Sequence, residues 1–313
     1  MSDRSDASMA ALLLTQRLLD LDAAPLKASE YWRLLDTVED PGALLGASAE
    51  EIAAVVGDAG LAERIAARLE AATSFAFALD DAQQSGIRLV ASVDADYPAV
   101  LRDRLGAGAP PLLHVVGDPR LLHGALLGIL GSRSIDEAGA EVAKEAARLA
   151  VKDGLGIVSG AAKGVDQLAM AAGLDAGGVV CGVVADSLVR ATKDPEIRRA
   201  VGDGLACLCS PYKPTAGFSA ANAMGRNKII YALSQATLVV ATDVDKGGTW
   251  AGATEALRQR IAPVLVWTGD GAASGNAALV EKGAMPVASL DGLLPPPQPE
   301  QREDEATQLG LGL

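Results

Sequence analysis

An α/β fold, with a doubly wound and mostly parallel sheet behind a small helical domain, is predicted for this chain by three observations. From Leu126 onward, short apolar runs alternate with helical patterns of roughly a dozen residues, the texture of strands joined by crossover helices. Before residue 85, apolar positions recur at helical spacing instead. Half of the 313 residues are apolar but only 3% are aromatic, so a core large enough for two domains has to be packed from Ala, Val, Leu and Ile.

Residues 1–84 form the expected helical domain. Leu12, Leu13, Leu18 and Leu19, then Ile52, Val55 and Val56, then Ile65, Leu69 and Ala72 keep the helical period, and Asp40-Pro41-Gly42 and Gly57-Asp58-Ala59-Gly60 punctuate it as turns. Residues 85–125 read as a junction leading into the sheet, with an extended stretch at 88–92 and a strand at 112–116. The sheet itself is expected over 126–291. Its strand candidates are Leu126–Leu130, Gly156–Ser159, 179–185, 205–209, 237–241 and 262–267, with helices such as 138–152 and 250–260 between them. From residue 292, Pro295-Pro296-Pro297 and an acidic, almost apolar-free run predict a disordered tail.

The charge distribution narrows the partner class. The net charge is −13, but residues 1–106 hold 9 basic and 18 acidic side chains and the tail holds 1 and 4. Residues 107–291 hold 17 and 18, so a local cationic patch fits there and the acidic total does not exclude nucleic acid. No apolar run is long enough to span a bilayer and the start lacks a signal-peptide pattern, which predicts a cytoplasmic protein without a membrane partner. Cys181, Cys207 and Cys209 lack CxxC spacing and read as buried free thiols. His114 and His123 lie away from the strand ends and lack ligand spacing, so neither a metal nor a catalytic role is expected.

In a doubly wound sheet, ligands bind beyond the carboxyl ends of the strands. Four loops there carry chemistry. Gly131-Ser132-Arg133 combines close backbone approach with a hydroxyl and a guanidinium fork. Ser159-Gly160-Ala161-Ala162-Lys163-Gly164-Val165-Asp166 leads into a helix, whose free N–H groups suit an anion. Gly225-Arg226-Asn227-Lys228 is expected to open a helix at 229–234, and Lys246-Gly247-Gly248-Thr249 to open another. Neither GxGxxG after the first strand nor a GxxxxGKS/T loop is present, so no NAD, ATP or other cofactor is expected. Asp166 is expected to hold Arg133 or a backbone N–H as a structural carboxylate. Trp250, directly after the glycine loop, is the candidate for stacking on a base, ahead of Tyr212, Phe218 and Tyr231.

The order Gly-Ser-Arg, Ser-Gly-x-Ala-x-Gly-x-Asp, Arg-Asn-Lys-Ile-Ile-x-x-Leu-Ser, Gly-Gly-Thr, then Asn276 with Gly283-Ala284, resembles the DprA/Smf family of DNA-processing proteins over roughly residues 10–290. Asp96-Tyr97-Pro98, Pro110-Pro111-Leu112 and Gly117-Asp118 are similar to that family's domain junction. The resemblance implies a Rossmann-like sheet behind a SAM-like helical domain, here in a divergent member without a C-terminal winged helix. It implies a non-enzymatic protein that binds single-stranded DNA without sequence preference, forms homodimers, and delivers DNA to a RecA-type recombinase during natural transformation or related recombination. By position, Arg133, Lys163, Arg226 and Lys228 would grip phosphates, while Ser159, Gly160, Asn227, Gly248 and Thr249 would shape the pocket. The chain departs from the family pattern at Met170, at Ser210-Pro211-Tyr212, at Ala223-Met224 and at Gly247-Gly248-Thr249.

A second resemblance, to the fold-related nucleotide-cleaving LOG type, keeps open a SLOG-type nucleotide sensor or a nucleotide-cleaving enzyme, with phage defence as its setting. That type needs a Glu three residues after its Gly-Thr, whereas Glu255 follows Thr249 by six. Finally, Gln308, Leu309, Leu311 and Leu313 resemble the short peptide by which bacterial proteins bind the sliding clamp. A synthetic peptide of residues 301–313 is expected to bind clamp in a titration up to high micromolar, and no binding there would remove the assignment.

Overall fold

The computed structural model describes residues 4–292. The proposed clamp peptide, and all of the acidic tail except Gly292, lie outside the described residues.

Five helices precede the sheet: α1 (Asp6–Thr15), α2 (Ala28–Val38), α3 (Ala49–Val56), α4 (Ala59–Leu69) and α5 (Ala72–Gln84). Their boundaries follow from capping chemistry. Ser48 and Glu51 form a reciprocal capping box at the start of α3. Gly57, left-handed at φ 71°, ends α3, and the Asp58 carboxylate accepts from the Leu61 N–H to begin α4. In α1, every residue from Ala10 to Thr15 is buried, so this helix is enclosed rather than one-sided.

Arg68 of α4 is what closes α1. Its side chain is 1% exposed and donates from Nε to Leu13 O (2.8 Å), from Nη2 to Gln16 O (2.7 Å) and from Nη1 to Ala23 O (2.9 Å). The guanidinium thus satisfies carbonyls that the end of α1 and the following loop leave open, with no carboxylate partner among the described residues.

The sheet has nine strands: β1 (Arg88–Ala91), β2 (Leu112–Gly117), β3 (Leu126–Leu130), β4 (Gly156–Ser159), β5 (Val180–Val183), β6 (Ala206–Ser210), β7 (Ala236–Val239), β8 (Val264–Trp267) and β9 (Met285–Val287). The intervening helices are α6 (Val100–Leu105), α7 (Glu137–Lys152), α8 (Val165–Asp175), α9 (Leu188–Ala191), α10 (Pro195–Gly202), α11 (Ala220–Leu233), α12 (Gly247–Gln259) and α13 (Ser274–Glu281). Strand order is β1-β2-β6-β5-β4-β3-β7-β8-β9, with β3 to β9 parallel. Every residue of β3, β5, β6, β7 and β8 is buried, as a parallel sheet covered on both faces requires.

Two expectations need correction. The stretch at 85–125 is not a lead-in: it supplies β1 and β2 to this same sheet, with β2 antiparallel to β6 (Val115 opposite Cys209). That pairing joins segments distant in sequence, which no local pattern announces. Second, the Arg-Asn-Lys motif does not open a helix at 229. Helix α11 begins at Ala220, where the Ser219 hydroxyl accepts from the Asn222 N–H at 3.0 Å, so the motif sits mid-helix. Gly225 is tolerated inside α11 because the Tyr212 hydroxyl occupies the place of a β-carbon while donating to Asn222 O at 2.9 Å.

The three cysteines are free and buried, and burial pushes each thiol up. His114, in β2, is 1% exposed and is pushed down to about 4 by burial, so it is neutral at physiological pH. No helix among the described residues is long and apolar enough to cross a membrane.

Removing the Arg68 guanidinium leaves three carbonyls without their donor and a cavity in the helical region. Arg68→Ala is expected to lower unfolding free energy by roughly 3 kcal/mol or more, read from urea melts. A change below about 1 kcal/mol would show that water replaces the contacts.

Candidate nucleic-acid interface

Strand β3 is central to the site. The chain proceeds from it to β4, β5 and β6 on one side, then crosses to β7, β8 and β9 on the other. Crossovers leaving in opposite directions part the loops after β3 and β7, and a cleft opens between them. Its volume is about 590 Å³. The lining includes Gly131, Ser132 and Arg133 after β3, Thr242 and Asp243 after β7, the Lys246–Thr249 turn, and Asp166, Arg226 and Asn227 from α8 and α11.

Backbone and side-chain contacts hold these loops in place. The Ser132 N–H donates to Ala241 O (2.9 Å), tying the β3 loop to the β7 loop. The Thr249 hydroxyl donates to Gly131 O (3.0 Å), and Asn227 Nδ2 donates to Gly248 O (3.1 Å), so the start of α12 is fixed from both sides. Behind the β7 loop, Asn276 accepts from the Thr242 N–H (3.0 Å) and donates to Val240 O and Trp267 O (both 2.8 Å). Asn276 stands out in the sequence only as a member of the motif order, which does not announce that bracing role.

At the floor lies a buried ion pair. Arg226 Nη1 is 3.7 Å from Asp166 Oδ2, and each side chain is 6% exposed. Of the two partners expected for Asp166, the guanidinium is that of Arg226 rather than Arg133, because α11 carries Arg226 inward, and backbone N–H groups at Ala162, Gly131 and Gly160 supply the other. Gly160 is obligatory beside this pair: a β-carbon there would overlap the Arg226 guanidinium and lie 2.5 Å from Asp166 Oδ2. Burial raises the Asp166 carboxyl to about 6, against the lowering effect of Arg226 and of backbone donors at Ala162, Gly131 and Gly160. In its ionised form the carboxylate offsets part of the Arg226 charge.

The other expected residues divide. Arg133, Arg226, Asn227, Lys246, Gly247, Gly248, Thr249, Gly131 and Ser132 all line the cleft. Lys163 and Gly164 line a shallower neighbouring groove that shares Arg133 with it. Gly164, at φ 93°, lies where the backbone of Ser132 and Arg133 passes too closely for any β-carbon. Ser159 is fully buried, its hydroxyl donating to Ile129 O at 2.6 Å, and it braces β4 against β3 away from the cleft surface.

Lys228 does not line the cleft. Its Nζ is 3.0 Å from Glu255, which also faces Arg258 at 3.5 Å, and Glu255 is likewise absent from the lining. Trp250 is 6% exposed and packs in the core with Lys282 over its ring, so it offers no free face for a base. Tyr231 is 1% exposed. The exposed aromatic of the cleft is Phe218, at 55%, with the Arg133 guanidinium carbon 4.9 Å from its ring centre and Met224 nearby in the lining.

Because the Asp166 carboxyl sits above its unfolded value of about 3.9, folding takes up a proton between roughly pH 4 and pH 6. Stability from this group is therefore greatest at the acid end and is lost as pH rises through about 6. The stability of wild type minus that of Asp166→Asn is expected to fall across that window and to level off above about pH 7, as measured by denaturant melts. A flat difference would place the titration elsewhere.

The family model for DNA recombination-mediator protein A matches residues 88–295. The chain is 28% identical over 215 residues to the DNA processing protein DprA of Bacillus subtilis, covering 67% of this chain and 71% of that one. The X-ray structure of DNA processing protein A from Streptococcus pneumoniae superposes with a TM-score of 0.65 at 24% identity, over 85% of this chain and 93% of that one. The DNA processing protein A of Helicobacter pylori, whose structure addresses its single-stranded DNA binding mode, gives 0.54 at 23% identity over 66% and 93%. The matched region contains all nine strands and every cleft residue, and the chain belongs to the DNA recombination-mediator protein A family, the DprA/Smf proteins.

Proposed function

We propose that this protein binds single-stranded DNA without sequence preference, in the cleft between the β3 and β7 loops, and takes part in recombination by presenting the strand to a recombinase of the RecA type. The observation that carries the reading is the pattern of unpaired cations. Arg133 and Lys246 at the cleft rim and Lys163 in the adjoining groove have no carboxylate partner among the described residues, whereas Lys228 has one. Arg133, shared by both cavities, makes them one track for a phosphodiester chain. Cations spaced along a groove recognise phosphates, which every sequence has, and release counterions on binding. Exposed Phe218 and Met224 supply an apolar lip for unpaired bases.

The proposed role is holding rather than catalysis. The cleft contains no histidine, its buried carboxylate faces Arg226, and Glu255, the acid that a nucleotide-cleaving enzyme of LOG type would need, faces Lys228 outside it. The homodimer and the recombinase contact rest on family resemblance, and the cytoplasmic location on the sequence pattern. The clamp contact rests on residues 308–313.

Arg133→Ala and Lys163→Ala are each expected to weaken binding of an oligothymidylate and of a mixed sequence alike, and to reduce the slope of log affinity against log salt by about 0.7. Lys228→Ala should leave both quantities unchanged. Fluorescence anisotropy measures all three, and a variant ranking in which Lys228 matters and Arg133 does not would move the strand off this cleft.

A further inference from the structure

The cleft floor differs from its rim. Arg226 is 5% exposed, lines the cleft, and has Nε and Nη1 without a hydrogen-bond partner, Nη1 facing Asp166 Oδ2 only at 3.7 Å. Across from it begins the 13-residue helix α12, whose N-cap residue Lys246 provides no side-chain cap, so its first amides carry no such partner. The turn at Gly247 and Gly248 admits a ligand close to those amides, and Asn227 fixes its orientation. The lining holds three cations, Arg133, Arg226 and Lys246, and two carboxylates, Asp166 and Asp243, an excess that favours an anion.

An internal phosphodiester has chain on both sides and fits the rim. A group reaching the buried guanidinium has to project inward from the end of a ligand. A terminal phosphate monoester does that, with three oxygens and about 1.5–2 negative charges at neutral pH. We propose that the floor of the cleft seats a terminal phosphate monoester of a nucleotide, held by Arg226 and the start of α12, with its base against Phe218. This deepens the strand-binding reading and rests on it: the protein then grips a phosphorylated strand end at the floor, and the next phosphates lie on Arg133 and Lys163.

The test compares, by competition anisotropy on the full chain, ~20-nucleotide oligothymidylates that are 5′-phosphorylated, 3′-phosphorylated, hydroxyl-ended at both termini, or circular. Thymidine 5′-monophosphate is assayed in parallel by its shift of the thermal midpoint. One phosphorylated end should bind about tenfold tighter than the hydroxyl-ended and circular strands, the ratio a charge-assisted hydrogen bond supplies, and the tighter end identifies the polarity. Arg226→Gln should abolish that preference. Because Arg226 is buried and its variant could misfold, Lys246→Ala, on the exposed rim, is measured beside it and should reduce the preference in a folded protein. Equal affinity for all four strands overturns this inference while leaving strand binding intact. A thermal shift by the mononucleotide with no strand bound would keep the phosphate seat and overturn the strand-binding reading. Absence of both responses overturns the two together.

Discussion

The reversal of strand order at β3 is the constraint on which the site depends. A parallel sheet has to bury both faces, so successive strands are laid down through helices, and the chain extends the parallel part of the sheet outward from its first parallel strand, β3. It builds β4 to β6 on one side and returns to build β7 to β9 on the other. The loops after β3 and β7 are thereby left without a crossover between them. All other features of the cleft, including the Ser132 to Ala241 tie and the Thr249 to Gly131 bond, stabilise an opening that the topology creates.

Within that opening, burial and charge oppose one another. Placing Arg226 and Asp166 under the loops removes both from water, and neither ion would be tolerated alone. Gly160 makes room for the pair, and three backbone donors and the guanidinium offset part of the carboxylate's desolvation. The result is a buried polar floor beneath exposed, solvated cations, a division suited to fixing a ligand's position at depth while tolerating any sequence at the rim. The helical region solves a similar problem differently, with Arg68 neutralised by no acid among the described residues and held by three carbonyls.

Much of this was legible from the residues, for reasons that also explain the failures. β3 and β4 are buried runs bounded by glycine or turn residues, and their limits coincide with those expected from the apolar pattern. The loops at 131–133 and 246–249 were singled out because they lie beyond the carboxyl ends of the strands, and both line the cleft. Long-range pairing was not legible: β2 joins β6 across the sheet edge, and only the fold brings Val115 opposite Cys209. The start of α11 was misplaced because Gly225 looks like a helix boundary, and the Tyr212 hydroxyl that fills its vacant side is thirteen residues upstream. Lys228 and Trp250 show the limit of reading roles by adjacency. One helical step turns Lys228 toward Glu255, and one step beyond Thr249 turns Trp250 into the core, while Phe218, on an unremarkable loop, takes the exposed aromatic position.

The family assignment and the geometry meet in one place, since the matched region of the family model contains the whole cleft. Where a strand sits on this protein is most directly measured by amide hydrogen exchange of the full chain, free and saturated with a single-stranded oligonucleotide. A strand bound in the cleft slows exchange in the 131–134 loop, the 162–165 turn and the first turn of α12, and leaves α5 and the outer edge at β9 unchanged. Protection confined to the helical region or to the β9 edge, with the cleft loops exchanging as in the free protein, would contradict it.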